Sequence, residues 1–298
     1  MRVVSGHQDD RNPALEQGSY PDDSLRWQSF VSSVRSIPVL ADSVYRLSNL
    51  LMISPVDLAT VSKVMLADVG LAAQVLKIAN SGIAETPIHD LEAAIVHLGV
   101  EPIRAFILTV PVLPSDSPTP VLRLWEHCRE CAQACASLAT ALGQAPSRAY
   151  IAGLLHDLGR IPLVAWALAT YPFSSAHGAE LVFTSPGQED SRFGINHQVI
   201  GGWMAVTWDL PDFLVEGAEQ HHALSATPNS GLVNLVRAAD KFSYFCSGLA
   251  RKREVLEALA PVAIRETEEQ LLSCMNEGFQ EWQVSLHQLP NYSRKDVP

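Results

Sequence analysis

Seven residues between positions 127 and 240 carry the donor atoms of a metal centre: His127, the pair His156-Asp157, His197, the pair His221-His222, and Asp240. Imidazole nitrogens and carboxylate oxygens serve zinc, manganese, iron and magnesium in different proportions. Each residue alone is ordinarily a core or surface group. Together, on separate apolar stretches, they exceed what packing asks for. His127 follows Leu124-Trp125 in a segment rich in Ala, Cys and Leu, so its buried ring needs a partner at both nitrogens. His156-Asp157 comes after an apolar run and before Leu158-Gly159, where neighbouring N and O donors are displayed as the chain turns. Asp240 ends the run Leu235-Val236-Arg237-Ala238-Ala239 and must be paired or ligated, because isolated burial costs several kcal/mol.

Gly201, one helical turn after His197, allows another backbone to approach beside that imidazole, and Gly202 widens the gap. His221 and His222 differ by about 100° around a helix. One can face a site while the other supports it or a second ion; the alternative is a helix C-cap meeting the dipole. A dinuclear water-activating hydrolase needs such a supply of donors, with one carboxylate between two ions. Arg160 and Arg123 are placed to meet a phosphate, or else are solvated. Cys128, Cys131 and Cys135 invite a zinc reading with His127, but they follow one helix stripe, and a single helix cannot wrap four ligands around an ion. Glycine-rich phosphate loops, a serine nucleophile elbow and a dinucleotide fingerprint are absent.

Helices must position these donors. Apolar residues recur at spacings of three and four in Leu40, Val44, Leu47 and Leu51, and again through Val121–Leu142, Ala149–Leu158, Gly194–Trp208, Pro211–His222 and Gly231–Gly248. Ser54-Pro55 reads as the start of a third helix and Asp68 as the cap of a fourth, which stops at Asn80-Ser81-Gly82; Asp90 and Gly99 bracket a fifth. No alternating strand pattern appears, so the fold expected is all-α. Residues 1–24 read as a flexible leader and 25–110 as a first helical lobe. The four prolines in 111–120 mark a hinge, 121–250 form the lobe bearing the donors, and 251–298 make a C-terminal helical tail that Gly278 interrupts.

With 298 residues, 47% hydrophobic and 18% charged, the chain can bury a large core without staples, so a metal is not required for folding. A net charge of -11 argues against general affinity for nucleic acid or anionic lipid. No apolar run approaches the roughly 18 residues that span a bilayer, and the first residues lack a signal-peptide pattern. The reading is a cytoplasmic protein whose five cysteines stay reduced.

The order His127, His156-Asp157, His197-x-x-x-Gly201, His221-His222, Asp240 resembles the HD superfamily of metal phosphohydrolases. Ile37-Pro38-Val39-Leu40, Met65-Leu66-Ala67-Asp68, the Leu76-Lys77-Ile78-Ala79-Asn80-Ser81 helix, Ala94-Ile95-Val96-His97-Leu98-Gly99 and Trp208-Asp209-Leu210-Pro211 resemble its HDOD branch. The likeness covers about residues 30 to 245. Val69 stands where that branch usually has proline. Arg160 stands where the related HD-GYP phosphodiesterases have lysine, and their Gly-Tyr-Pro signature is missing after His221-His222, which argues against cleavage of cyclic di-GMP. The resemblance implies a regulatory output module of bacterial signalling, meeting signalling proteins or a nucleotide-type ligand, with an HD-like site that holds a metal or nucleotide or is vestigial. The alternative it implies is a metal-dependent phosphodiesterase or phosphohydrolase. In that case iron, manganese, magnesium or zinc would be held by His127, His156, Asp157 and Asp240, a second ion by His197, His221 and His222, and a phosphate by Arg160, with Asp157 and Arg160 catalytic.

Overall fold

A computed structural model describes residues 23–81, 87–113, 117, 119–170, 184–223, 231–263 and 266–288. The expected leader up to residue 22, Gly82 as a helix stop, and hinge residues 114–116 and 118 lie outside the described residues. Among the described residues the fold is all-α apart from one short ladder. Helix α1 spans Asp23–Ser33, followed by strand β1 (Val39–Leu40), α2 (Ala41–Met52), α3 (Leu58–Leu66), α4 (Val69–Asn80), α5 (Leu91–Leu98), α6 (Val100–Thr109) and strand β2 (Val112–Leu113). The two strands pair in parallel, Val39 with Val112 and Leu40 with Leu113, so two residues of the expected hinge are held against the first lobe. A two-residue ladder is too short to leave an alternating pattern.

Local chemistry sets most boundaries. Asp68 accepts from the amides of Gly70 and Leu71, capping α4 as expected. Asp90 caps α5 through Ala93, and Gly99 ends it at φ 81°, a left-handed conformation that favours glycine. Asn80 reaches past its helix: its amide donates to the Ile88 carbonyl and its oxygen accepts from the Ile88 amide, fixing the approach to α5. One expected cap is corrected. Helix α3 begins three residues later than Ser54-Pro55 suggests, because the Asp57 carboxylate accepts from Ala59 and Thr60 and so defines the first turn.

The donor-bearing half comprises α7 (Thr119–Ala141), α8 (Pro146–Leu155), α9 (Arg160–Thr170), α10 (Pro186–Phe193), α11 (His197–Thr207), α12 (Asp212–Gln220) and α13 (Gly231–Cys246). Two helices were not foreseen. Helix α9 accommodates Pro162 because the first turn has no intrahelical use for that amide. Helix α10 starts with a Ser185–Gln188 capping box and ends at Gly194 with φ 71°, so the expected helix from Gly194 begins only at His197, capped by Asn196. Helices α14 (Lys252–Leu259) and α15 (Glu268–Gln288) follow. Gly278 does not break α15. It is where that helix presses on α7, for a Cβ there would lie 2.1 Å from Ser137 Oγ.

A single apolar cluster runs from Trp27 and Val31 through Leu71 and Leu76, Trp125 and Leu138, Trp208 and Phe242, to Leu271 and Met275. Polar links cross it as well. Trp125 Nε1 donates to Asp68, Tyr150 to the Leu66 carbonyl, and Trp208 Nε1 to the Val34 carbonyl, so both halves share one interior. Among the described residues no single helix is long and apolar enough to cross a membrane.

Candidate metal centre

Glycines let the donor-bearing helices meet. A Cβ on Gly153 of α8 would lie 2.7 Å from the Cys131 carbonyl of α7, so α7 and α8 are in backbone contact just before His156. A Cβ on Gly159 would lie 2.1 Å from the His197 carbonyl and 2.4 Å from the Gly201 amide, which explains the glycine one turn after His197. His156 and Asp157 occupy the turn after α8, His197 opens α11, His221 and His222 occupy the turn after α12, and Asp240 lies inside α13. All are buried except His222, which is 14% exposed.

Four imidazoles are fixed by their outer nitrogens. His156 Nδ1 is 2.7 Å from the Gly153 carbonyl, and His221 Nδ1 is 2.9 Å from the Gly217 carbonyl. A carbonyl only accepts, so Nδ1 carries the proton in both. His127 Nδ1 lies 3.0 Å from Ser243 Oγ, whose hydroxyl donates to Glu130 at 2.5 Å. His197 Nδ1 donates to Glu189 Oε2 at 2.6 Å. Each Nε2 therefore turns inward.

Those nitrogens converge on two carboxylates. His127 Nε2 is 3.3 Å from both Asp157 Oδ2 and Asp240 Oδ1, while His156 Nε2 lies 3.6 and 3.8 Å from the same two oxygens. The other oxygen of Asp157, Oδ1, faces His197 Nε2 at 3.3 Å and His221 Nε2 at 3.5 Å. His197 and His221 Nε2 face each other at 3.2 Å, and His222 Nδ1 stands 3.9 Å from Asp240 Oδ2. Lone pairs set this close in a dry interior repel unless a cation lies among them. His156 Nε2, Asp157 Oδ1, and both oxygens of Asp240 are buried without a hydrogen-bond partner, so the residues present fit a divalent metal.

The electrostatics agree. Burial pulls the His127 pKa down, but the neighbouring carboxylates of Asp157 and Asp240 outweigh it and raise the value to about 9. Burial also opposes ionisation of Asp157, yet Arg160, His156 and His197 hold that carboxyl well below the usual range. Asp240 is likewise held low against its burial by His127 and His156. His197 is pushed well below ordinary histidine by burial and then Arg160; His222 falls to about 2 through burial and then His221. The centre thus presents ionised carboxylates and neutral His197 and His222, while the carboxylates hold a proton on His127 that a bound metal would displace.

All seven predicted donors come together, although they span positions 127 to 240. The arginines are placed differently. Arg160 is fully buried, with Nε on Asp157 Oδ2 at 2.7 Å and Nη1 on Glu189 Oε1 at 2.6 Å and on the Thr184 carbonyl at 3.1 Å; only Nη2 is without a partner. Arg123 is exposed and paired with Glu126 at 2.8 Å. Sequence reasoning missed Glu189, which binds Arg160 through one oxygen and the side chain and amide of His197 through the other. It lies in a polar helix with no apolar period to signal burial.

A family model for the HDOD domain matches residues 37–224. A response regulator, MmoQ, from Methylococcus capsulatus str. Bath has a similar structure, with a TM-score of 0.62 at 19% identity over 80% of this chain and 98% of that one. A virulence factor from Campylobacter jejuni gives a TM-score of 0.61 at 18% identity over 86% and 96% of the two chains. An uncharacterized protein of Treponema pallidum (strain Nichols) is 23% identical over 263 residues, 82% of this chain and 49% of the relative, so the chain spans about half that relative's length.

Proposed function

The chain belongs to the HDOD domain family, and from that premise we propose that it is a regulatory module of signal transduction whose buried His/Asp centre holds a divalent metal. The observation that carries the metal is the convergence of four oriented Nε2 atoms on Asp157 and Asp240. Support for the regulatory role is the seclusion of the site. The ligands are buried, and Arg160 is engaged with Asp157 and Glu189 where a phosphate-binding arginine would need to face solvent. The similar fold named as a response regulator points the same way. The partners in this reading are signalling proteins or a nucleotide-type ligand, and the metal is zinc, iron, manganese or magnesium.

A second reading, a metal-dependent phosphodiesterase or phosphohydrolase, is favoured by one feature: the two oxygens of Asp157 face separate imidazole sets, as a carboxylate between two ions must. A bound ion would there supply Lewis acidity and a water of lowered pKa. This chain's residues would orient it, with Glu189 holding the His197 proton at Nδ1 and Arg160 fixing Asp157.

Metal analysis of protein purified without a histidine tag, paired with assays of the same sample on cyclic dinucleotides and simple phosphoesters, separates these readings. Bound metal without turnover is expected. Turnover abolished by Asp157→Asn would establish the hydrolase, and protein isolated without metal that takes none up would refute both metal readings.

A further inference from the structure

Cys131 is buried on α7 one turn after His127, with Sγ 3.7 Å from His127 Nε2 and 3.7 Å from the carbonyl of Ala239, the neighbour of Asp240. Four single ligand atoms, from Cys131, His127, His156 and Asp240, lie within 4.8 Å of one another. They come from α7, the end of α8 and α13. A set drawn from three elements can surround a point, which the cysteines of α7 alone cannot do. Cys128 and Cys135 do not join any such group of donors among the described residues.

We propose that Cys131 Sγ is a metal ligand and that, with His127, His156 and Asp240, it completes a closed four-donor site selective for a thiophilic divalent ion such as zinc. This rests on the metal reading above and names the ion and coordination it implies. Two observations carry it beyond proximity. Asp240 keeps both oxygens, and His156 its Nε2, buried without hydrogen-bond partners beside the thiol. The charge count also fits. A Cys131 thiolate and the Asp240 carboxylate supply two negative charges to a divalent ion in a dry interior, while Arg160 is shared between Asp157 and Glu189. A thiolate selects zinc or cobalt over magnesium, and four protein ligands leave no open position, as in structural zinc sites. As the metal–sulfur bond forms, the Sγ proton leaves to the buffer. Such an ion would organise the interface of α7, α8 and α13 rather than present water to a substrate.

Cobalt(II) is the probe, added anaerobically to chelator-stripped full-length protein. A near-ultraviolet sulfur-to-cobalt charge-transfer band is expected in the wild type, lost in Cys131→Ser and kept in Cys135→Ser. Visible cobalt bands without the charge-transfer band would overturn the thiolate ligand and leave the metal centre standing. No cobalt or zinc uptake would overturn both. A band that survives Cys131→Ser also overturns the proposal. If circular dichroism shows Cys131→Ser unfolded, the Cys128→Ser/Cys135→Ser double variant decides: a retained band supports Cys131, and a lost band refutes it.

Discussion

Asp157 does two jobs that a sequence cannot separate. Its oxygens face two imidazole sets, and Oδ2 also neutralises the buried guanidinium of Arg160. Asp157→Asn is therefore expected to weaken metal binding and also to lower stability by about 3 kcal/mol, since removing one partner leaves a buried charge short of compensation. Urea melts in chelator isolate the second effect; equal midpoints for the two stripped proteins would show that Glu189 alone satisfies Arg160. Glu189 itself orients His197 by accepting from both Nδ1 and the amide. Glu189→Gln should weaken metal binding about 10- to 100-fold with little change in helical content, as losses of outer-shell carboxylates do. Competition titration against a chelator measures it. The seven donors were legible because His and Asp within apolar runs stand out. Glu189 was not, because a glutamate in a polar helix looks solvated until the fold buries it.

At the scale of elements, glycine contacts decide where the donors meet. Gly159 makes the tightest approach to backbone, with its would-be Cβ 2.1 Å from a carbonyl that has no rotamer to yield. Gly159→Ala should destabilise the protein by at least about 3 kcal/mol, because a backbone clash is costlier than ordinary overpacking. Gly187→Ala, in the first turn of α10 with nothing within 4 Å of its Cβ position, should be neutral or stabilise by up to about 1 kcal/mol. Thermal unfolding of the pair checks both, and similar midpoints would mean that α9 and α11 can move apart. The cap residues Asp68 and Asp90 were readable because a short carboxylate before an apolar stripe has one good use. The start at Asp57 was missed because Ser54-Pro55 offers a competing signal that only the backbone path settles.

At the scale of the whole molecule, the C-terminal helices belong to the core. Leu271, Leu272 and Met275 are buried, and α15 presses on α7, the helix that carries His127. Truncation after Ala250 should abolish cooperative unfolding, since three such side chains contribute about 1.5–3 kcal/mol each and their removal exposes the opposite wall. A truncated chain that melts cooperatively near the full-length midpoint would show that segment to be dispensable.

The sequence by itself determined the all-α class, the caps at Asp68 and Asp90 and the seven His and Asp residues that converge, because periodicity, capping chemistry and residue type act over a few neighbouring positions. Tertiary structure alone decided which oxygen of Asp157 meets which imidazole, that Arg160 turns inward to Asp157 and Glu189, and that Cys131 stands beside His127 and Asp240. These depend on how helices far apart in the chain cross. The crossing is set by backbone contact at glycines and by the burial of charge against charge, neither of which leaves a local period to read.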